Sequence, residues 1–247
     1  IALGVVYFAI MMVGARLLRK PPEGWQPPNW NRRVPRPSSA SFTRNDAIST
    51  VPFYLLWGIL FINVTAGIGI LAQASPMMQD MFHKTPVEAA AVVSLISIFN
   101  AGGRFFWASC SDYIGRRNTY TVFFVVQAIL FLLIPVLDRR NEWLLFELAL
   151  FVIFTMYGGG FATIPAFLAD LFGVDNVGAI HGAILTAWSA AAIAGPAIIT
   201  ELSRTAPGAA RNYDYPLQLL AGMLAVGFLL TLVVRAPKRA TSGPPHS

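Results

Sequence analysis

The sequence predicts an all-α membrane protein, and three observations support this fold class. Of the 247 residues, 55% are hydrophobic and only 12% are charged, whereas an ordinary soluble domain carries about 25% charged residues. The hydrophobic residues form stretches of about 20, the length that a helix needs to cross a bilayer. The single cysteine excludes a disulfide framework and a multi-cysteine metal site. This composition excludes a soluble, disordered or nucleic-acid-binding protein.

Seven apolar stretches divide the chain into four predicted parts. Residues 1–18 form a first span, and residues 19–49 form a linker whose closely spaced prolines oppose a regular helix. Residues 50–235 form a six-helix bundle, and residues 236–247 form a short tail. The stretches of the bundle lie at roughly 51–74, 87–110, 119–137, 143–168, 177–202 and 216–234. Because Ile1 already lies inside an apolar run, we expect the chain to be a piece of a longer protein.

Basic residues are distributed unequally between the two sides of the predicted bundle. The linker side holds the larger share, including Arg36, Arg116 and Arg117, and the opposite loops hold fewer, such as Lys84 and Arg139. This asymmetry predicts that the linker and the tail lie in the cytoplasm. The net charge of +6 therefore reflects orientation in the lipid bilayer, and no nucleic-acid partner is needed to explain it.

Arg104 is the basic residue that lies deep inside a predicted span. It precedes Asp112 by two helical turns, which places it about 12 Å into the membrane. A guanidinium at that depth is expensive, so a functional role is the default hypothesis. Its planar donors suit a carboxylate, and Asn100 lies one turn earlier on the same helical face. The alternative is that Arg104 pairs with backbone carbonyls or caps a neighbouring helix.

The segment GRFFWASCSDYIGRR, from Gly103 to Arg117, predicts a short turn between two helices. Gly115 permits a tight bend, and Asp112 can pair with Arg116 or Arg117. The pattern G-R-x-x-W-x-x-x-S-D-x-x-G-R-R resembles the loop signature of the major facilitator superfamily, in the copy between helices 8 and 9.

Two further segments resemble the oxalate:formate antiporter family within that superfamily. PPEGWQPPNW, at 21–30, is similar to its central cytoplasmic loop, and PAFLADLFGVDNVGAIHGAILTAWSAAAIAGP, at 165–196, is similar to its helix 10–11 region. The resemblance implies the C-terminal six-helix half of a twelve-helix fold, preceded by the end of helix 6. It also implies an N-terminal half as partner and a substrate site at the midplane, used by alternating access.

The resemblance further implies a site for a small carboxylate such as formate, oxalate, lactate or pyruvate. The substrate-binding arginine of helix 8 corresponds to Arg104, with Asn100 as its partner. The helix 11 lysine of the oxalate exchanger has no match between 177 and 202, and the Trp188 region takes its place. One cation favours a monocarboxylate, although a missing half can supply another. Tyr157 and Trp188 are candidates for the cavity wall.

The resemblance implies a gate at the predicted short turn. Asp170 is expected to join Asp112 and Arg116 in a network that breaks as the cytoplasmic side opens, with Gly115 and Arg117 completing the turn. The alternative is that Asp170 is a solvated loop carboxylate.

The remaining alternatives concern the mode of action. Exchange and proton-linked symport both stay open, and a half-size carrier is the alternative to a twelve-helix transporter. A membrane-embedded enzyme or sensor is disfavoured because His83, His181 and His246 lie in separate segments without a metal or nucleophile arrangement. We expect no catalytic residues, metal or cofactor, and we expect location in a bacterial inner membrane.

Overall fold

A computed structural model describes residues 2–17, 41–204 and 211–237, and these residues form helices joined by turns and short loops, without strands. The chain divides into two compact units, residues 1–37 and 38–247. Residues 19–40 of the predicted linker and residues 238–247 of the predicted tail, which include His246, lie outside the described residues.

The first unit contains one described helix, α1, Ala2–Leu17. Its sequence is apolar, and its side chains from Gly4 onwards are exposed. The helix coincides with the first predicted span.

The second unit contains the bundle. Its helices are α2 (Arg44–Ile48), α3 (Val51–Phe82), α4 (Pro86–Ile114), α5 (Arg116–Arg139), α6 (Trp143–Phe172), α7 (Val177–Ile184), α8 (Thr186–Leu202) and α9 (Asp214–Val233). Six segments of the described chain are long and apolar enough to cross a membrane, because α7 and α8 together make one span. They coincide with the six predicted stretches, and most extend beyond the predicted ends.

Local sequence explains where the helices begin and end. Thr43 and Thr85 each form a capping box, with Asp46 and Glu88 respectively, which satisfies backbone amides that a helix N-terminus leaves unpaired. Gly115 alone separates α4 from α5. Its φ of 86° lies in the left-handed region, where a residue without a Cβ is favoured.

Glycines allow the helices of the bundle to pack closely. The most extensive contacts pair α4 with α6, α3 with α8 and α5 with α9. A Cβ at Gly103 of α4 would overlap the backbone of Thr155 on α6, and a Cβ at Gly69 of α3 would lie 3.0 Å from the carbonyl oxygen of Gly195 on α8. Such close approach is typical of small residues between membrane helices.

The end of the predicted linker is ordered against the bundle. The segment Ser41–Thr50, here called the strap, contains α2, whereas the sequence predicts residues 19–49 as linker. Phe42 is buried, donates its N–H to the carbonyl of Phe172 at 2.9 Å, and accepts a hydrogen bond from Asn176 Nδ2 at 3.0 Å. These bonds attach the strap to the end of α6 and the start of α7.

The span Val177–Leu202 is interrupted. α7 ends at Ile184 and α8 begins at Thr186, with Leu185 between them. The Thr186 hydroxyl donates to the carbonyl of Ala183 at 2.8 Å, so a side chain satisfies a backbone acceptor at the break, as a membrane interior requires.

Candidate functional site

A cavity of about 540 Å³ opens along the second half of α4. Residues of α4 spaced by three to five positions share this face of the helix, and one residue of α6 completes the wall. The lining residues are Asn100, Ala101, Arg104, Phe105, Ala108, Ser109 and Ala162. Alanines leave the space open, and Arg104 supplies positive charge to it.

Arg104 lies within the span, about 15 Å along the helix from the end of α4 at Ile114. Its side chain is exposed, and no carboxylate or hydrogen-bond acceptor of the described residues pairs with its guanidinium. Its Cζ atom lies 5.7 Å from the centre of the Phe161 ring, a cation–π distance. Within the described chain, the arginine therefore has an aromatic neighbour and no counter-ion.

Asn100 lies one turn before Arg104 and lines the same cavity. Its side-chain oxygen is buried without a hydrogen-bond partner among the described residues. That oxygen faces α6, because a Cβ at Gly158 would lie 2.5 Å from it. Asn100 thus contributes a side-chain amide, whose nitrogen is a hydrogen-bond donor, to the residues that line the cavity.

Phe161 joins the other two predicted residues to Arg104. Its ring centre lies 5.4 Å from that of Tyr157 and 5.5 Å from that of Trp188, both edge to face. Trp188 is half-exposed, but Tyr157 is buried, so Tyr157 supports Phe161 and neither residue is part of the cavity lining. The sequence-based prediction omitted Phe161, although its position four residues after Tyr157 places both rings on one face of α6.

A cluster of charged residues surrounds the turn between α4 and α5. Arg116 donates hydrogen bonds to the Ser111 hydroxyl and to the carboxylate of Asp112, and its Nε lies 3.8 Å from Asp170 Oδ2. Asp112, Arg116 and Asp170, here called the turn cluster, thus connect this turn to the end of α6. The Arg117 side chain is exposed, and no described carboxylate forms an ion pair with it.

A second charged cluster lies at the opposite helix ends. The hydroxyl of Tyr213 donates to Asp80 Oδ2 at 2.7 Å, and Arg139 pairs with Asp214 at 2.9 Å. Arg211 lies 3.9 Å from the same Asp80 oxygen. Burial raises the pKa of Tyr213 to about 12, because the ionised phenol is poorly solvated there. These contacts attach the start of α9 to the ends of α3 and α5.

No group of three or more His, Cys, Asp or Glu side chains converges on a metal-sized site within residues 2–17, 41–204 and 211–237. His83 follows α3, and His181 lies within α7. The lining of the cavity on α4 contains one charged group, the guanidinium of Arg104, and such a group can donate charge-assisted hydrogen bonds to an anion.

Comparison with known proteins agrees with a transporter. A sequence model described as Major Facilitator Superfamily matches residues 1–196 and 67–246. The chain is 29% identical over 154 residues to the oxalate:formate antiporter of Oxalobacter formigenes, a match that covers 62% of this chain and 36% of that protein. It is 26% identical over 211 residues to apicoplast pyruvate carrier 1 of Toxoplasma gondii, covering 74% of this chain and 38% of that protein.

A third relative is an uncharacterized MFS-type transporter, YhjX, of Escherichia coli strain K12. It is 25% identical over 134 residues, which cover 54% of this chain and 33% of that protein. The matches therefore span little more than a third of the length of these relatives. The family match extends over both the helices and the turn signature, and six apolar helices fit a multi-pass membrane protein. The chain belongs to the Major Facilitator Superfamily of membrane transporters.

Proposed function

We propose that the chain is the C-terminal half of a secondary active transporter for small carboxylate anions. The observation that carries this proposal is Arg104, an exposed cation within a membrane span, in a cavity without a described counter-ion. A charge in this environment needs a partner, and a substrate carboxylate supplies one through charge-assisted hydrogen bonds.

The neighbours of Arg104 favour a planar anion. The Phe161 ring centre lies 5.7 Å from Cζ of Arg104, and the edge donors of the guanidinium suit a carboxylate in its plane. Asn100 adds a neutral donor one turn away. The cavity of about 540 Å³ is much larger than formate or pyruvate, and we propose that another part of the transporter supplies the opposite wall. The N-terminal half is the partner that we propose for this wall.

A monocarboxylate fits the available charge better than a dianion. The span 177–202 contains no lysine or arginine, and Arg104 is the cation that the described residues place in the cavity lining. Among the relatives, one is named for oxalate and formate and another for pyruvate. We infer that formate, lactate or pyruvate is the preferred substrate, and that oxalate binding requires a second cation from the N-terminal half.

Transport by alternating access requires a gate, and the turn cluster is our candidate. Arg116 lies between the carboxylates of Asp112 and Asp170 and so connects two helices that line or flank the cavity. Opening this side separates α6 from the α4–α5 turn and breaks the longer of the two contacts. By the distribution of basic residues, this side is the cytoplasmic face of the membrane, and we propose that the membrane is a bacterial inner membrane.

Uptake into liposomes tests the role of Arg104. The complete protein is reconstituted and supplied with labelled formate, oxalate, lactate or pyruvate, with and without a pH gradient, to separate exchange from proton-linked symport. Arg104→Gln should reduce uptake at least about 30-fold. In the proposed transporter the substrate and the N-terminal half bury the charge pair, and losing one partner of a buried pair costs roughly 2 kcal/mol or more. Arg104→Lys keeps the charge but loses the planar donors, and a smaller loss is expected.

The control variant is Arg204→Gln. Arg204 is exposed and pairs with Glu201 at the far end of α8, so uptake should stay near normal. Near-normal uptake by reconstituted Arg104→Gln protein would remove Arg104 from the binding site and refute the proposal.

A further inference from the structure

A second cavity, of about 420 Å³, lies where the strap meets the first turns of α3 and the end of α7. It shares no lining residue with the Arg104 cavity. Its lining residues are Arg44, Ile48, Phe53, Tyr54, Trp57, Ala183 and Thr186. We propose that this cavity binds an anionic phospholipid, with the headgroup phosphate on Arg44 and the first acyl carbons against the aromatic wall.

Arg44 provides the charge that a phosphate requires. It is the first residue of α2, its side chain is exposed, and no carboxylate among the described residues forms an ion pair with it. Its backbone is held in place from both sides. The capping box of Thr43 and Asp46 fixes the turn, and the buried Phe42 attaches the strap to α6.

The opposite wall of this cavity is aromatic. The indole N–H of Trp57 donates to the Thr186 hydroxyl at 2.9 Å, so its polar atom is already used by the protein. Its ring stacks on Phe61, with centres 5.3 Å apart and planes at 9°. Tyr54 is 59% exposed beside it. Apart from the exposed Tyr54 hydroxyl, this wall therefore offers apolar surface to a ligand.

The position of the cavity selects an amphipathic ligand. It lies at the first turns of the span Val51–Phe82, where a membrane protein meets the headgroup layer and aromatic residues are enriched. A soluble anion would use Arg44 and leave the aromatic wall exposed to water. An anionic lipid uses both, and basic pockets between helices on the cytoplasmic side recognise such headgroups.

Native mass spectrometry of the complete protein in detergent tests this assignment, because it counts bound lipids. Phosphatidylglycerol is titrated against phosphatidylcholine, which carries the same tails without net charge. Arg44→Gln should weaken phosphatidylglycerol binding about fivefold, the equivalent of about 1 kcal/mol for one basic residue at a membrane surface. It should weaken phosphatidylcholine binding less, because the choline ammonium compensates the charge of the phosphate in that lipid. Tyr54→Ala should weaken both lipids by a similar factor.

The matched control is Arg235→Gln. Arg235 is exposed just beyond the end of α9, on the same side of the bundle and outside the cavity, so phosphatidylglycerol binding should change by less than about twofold. If Arg44→Gln and Arg235→Gln lose phosphatidylglycerol affinity equally, general surface charge explains the loss and the proposal is overturned. Unchanged phosphatidylglycerol binding by Arg44→Gln would also overturn the proposal, and a segment of protein would then be the candidate occupant of the cavity. Complete displacement of the lipid by millimolar sodium phosphate would identify a site for free anions instead. None of these outcomes depends on the transported substrate.

Discussion

Replacing Gly159 with alanine should disturb the packing of α4 on α6 beside the Arg104 cavity. A Cβ at Gly159 would lie 2.7 Å from the Cβ of Trp107, whereas ordinary contacts begin at 3.4 Å. The Trp107 Cβ is bonded directly to the α4 backbone and cannot rotate away. Trp107 is also held by a 3.2 Å hydrogen bond from its indole N–H to Thr155. The helices must therefore separate locally by about 0.7 Å.

The expected loss of stability follows from two opposing effects. Overpacking costs about 1–3 kcal/mol, and the higher helix propensity of alanine offsets up to about 1 kcal/mol. A net destabilisation of about 1–2 kcal/mol corresponds to a fall in Tm of roughly 2–8 °C for a domain of this size. Transport should also fall, by about tenfold. Arg104 lies on α4, the helix that is displaced, and its alignment with the substrate is sensitive to small shifts.

Tryptophan fluorescence during heating in detergent gives the Tm, and liposome uptake gives the activity. The control is Gly222→Ala, because a Cβ at Gly222 of α9 meets no atom within 4 Å. Its Tm should be unchanged or slightly higher. If Gly159→Ala matches Gly222→Ala in both Tm and uptake, close helix contact is not what requires glycine at 159.

Three further predictions concern the turn cluster, the opposite helix ends and the bundle interior. Asp112→Asn removes a charge from the turn cluster and should slow exchange in a counterflow assay more than it weakens substrate binding; unchanged turnover would refute the gate. The raised pKa of Tyr213, about 12, means that its neutral form stabilises the fold below pH 10 and that this contribution is lost between pH 10 and 12. Tyr213→Phe should therefore lower the Tm at pH 7, because the bond to Asp80 is lost, and its Tm should fall less than that of the wild type as the pH rises from 10 to 12. If the Tm of the variant and of the wild type fall equally over this range, groups other than Tyr213 cause the loss. Gln127 donates to Asn63 at 3.0 Å in the buried interior, so Gln127→Leu should cost about 1–3 kcal/mol. The double variant with Asn63→Leu should recover part of that loss, and a purely additive double variant would contradict the pairing.

The six spans could be predicted because membrane helices require long apolar stretches, and each such stretch in this chain became a helix. Arg104 was identifiable for the same reason, since a charge stands out in an apolar span. The turn at Gly115 was also predictable, because a glycine between charged residues and two apolar runs can adopt the backbone conformation of a tight bend. Its positive φ agrees with that expectation.

Other features depend on contacts between distant parts of the chain. The strap helix was not predicted, because its five residues have no apolar periodicity and are held by Phe42 against Phe172. The break at Leu185 has no proline or glycine beside it to signal it. The position of Phe161 between Arg104 and Trp188 requires knowledge of how α4, α6 and α8 pack. Sequence patterns within one helix do not contain this information.

The helices of the bundle differ in length, and the longest are much longer than the hydrocarbon core of a bilayer is thick. α3 has 32 residues and α6 has 30, or about 48 and 45 Å, whereas the hydrocarbon core is about 30 Å thick. These two helices must tilt or project beyond the lipid. α9 has 20 residues, or about 30 Å, and has no spare length. A thicker membrane is therefore accommodated by less tilt of α3 and α6 but not by α9, which sets the thickest bilayer that fits without thinning the lipid around it.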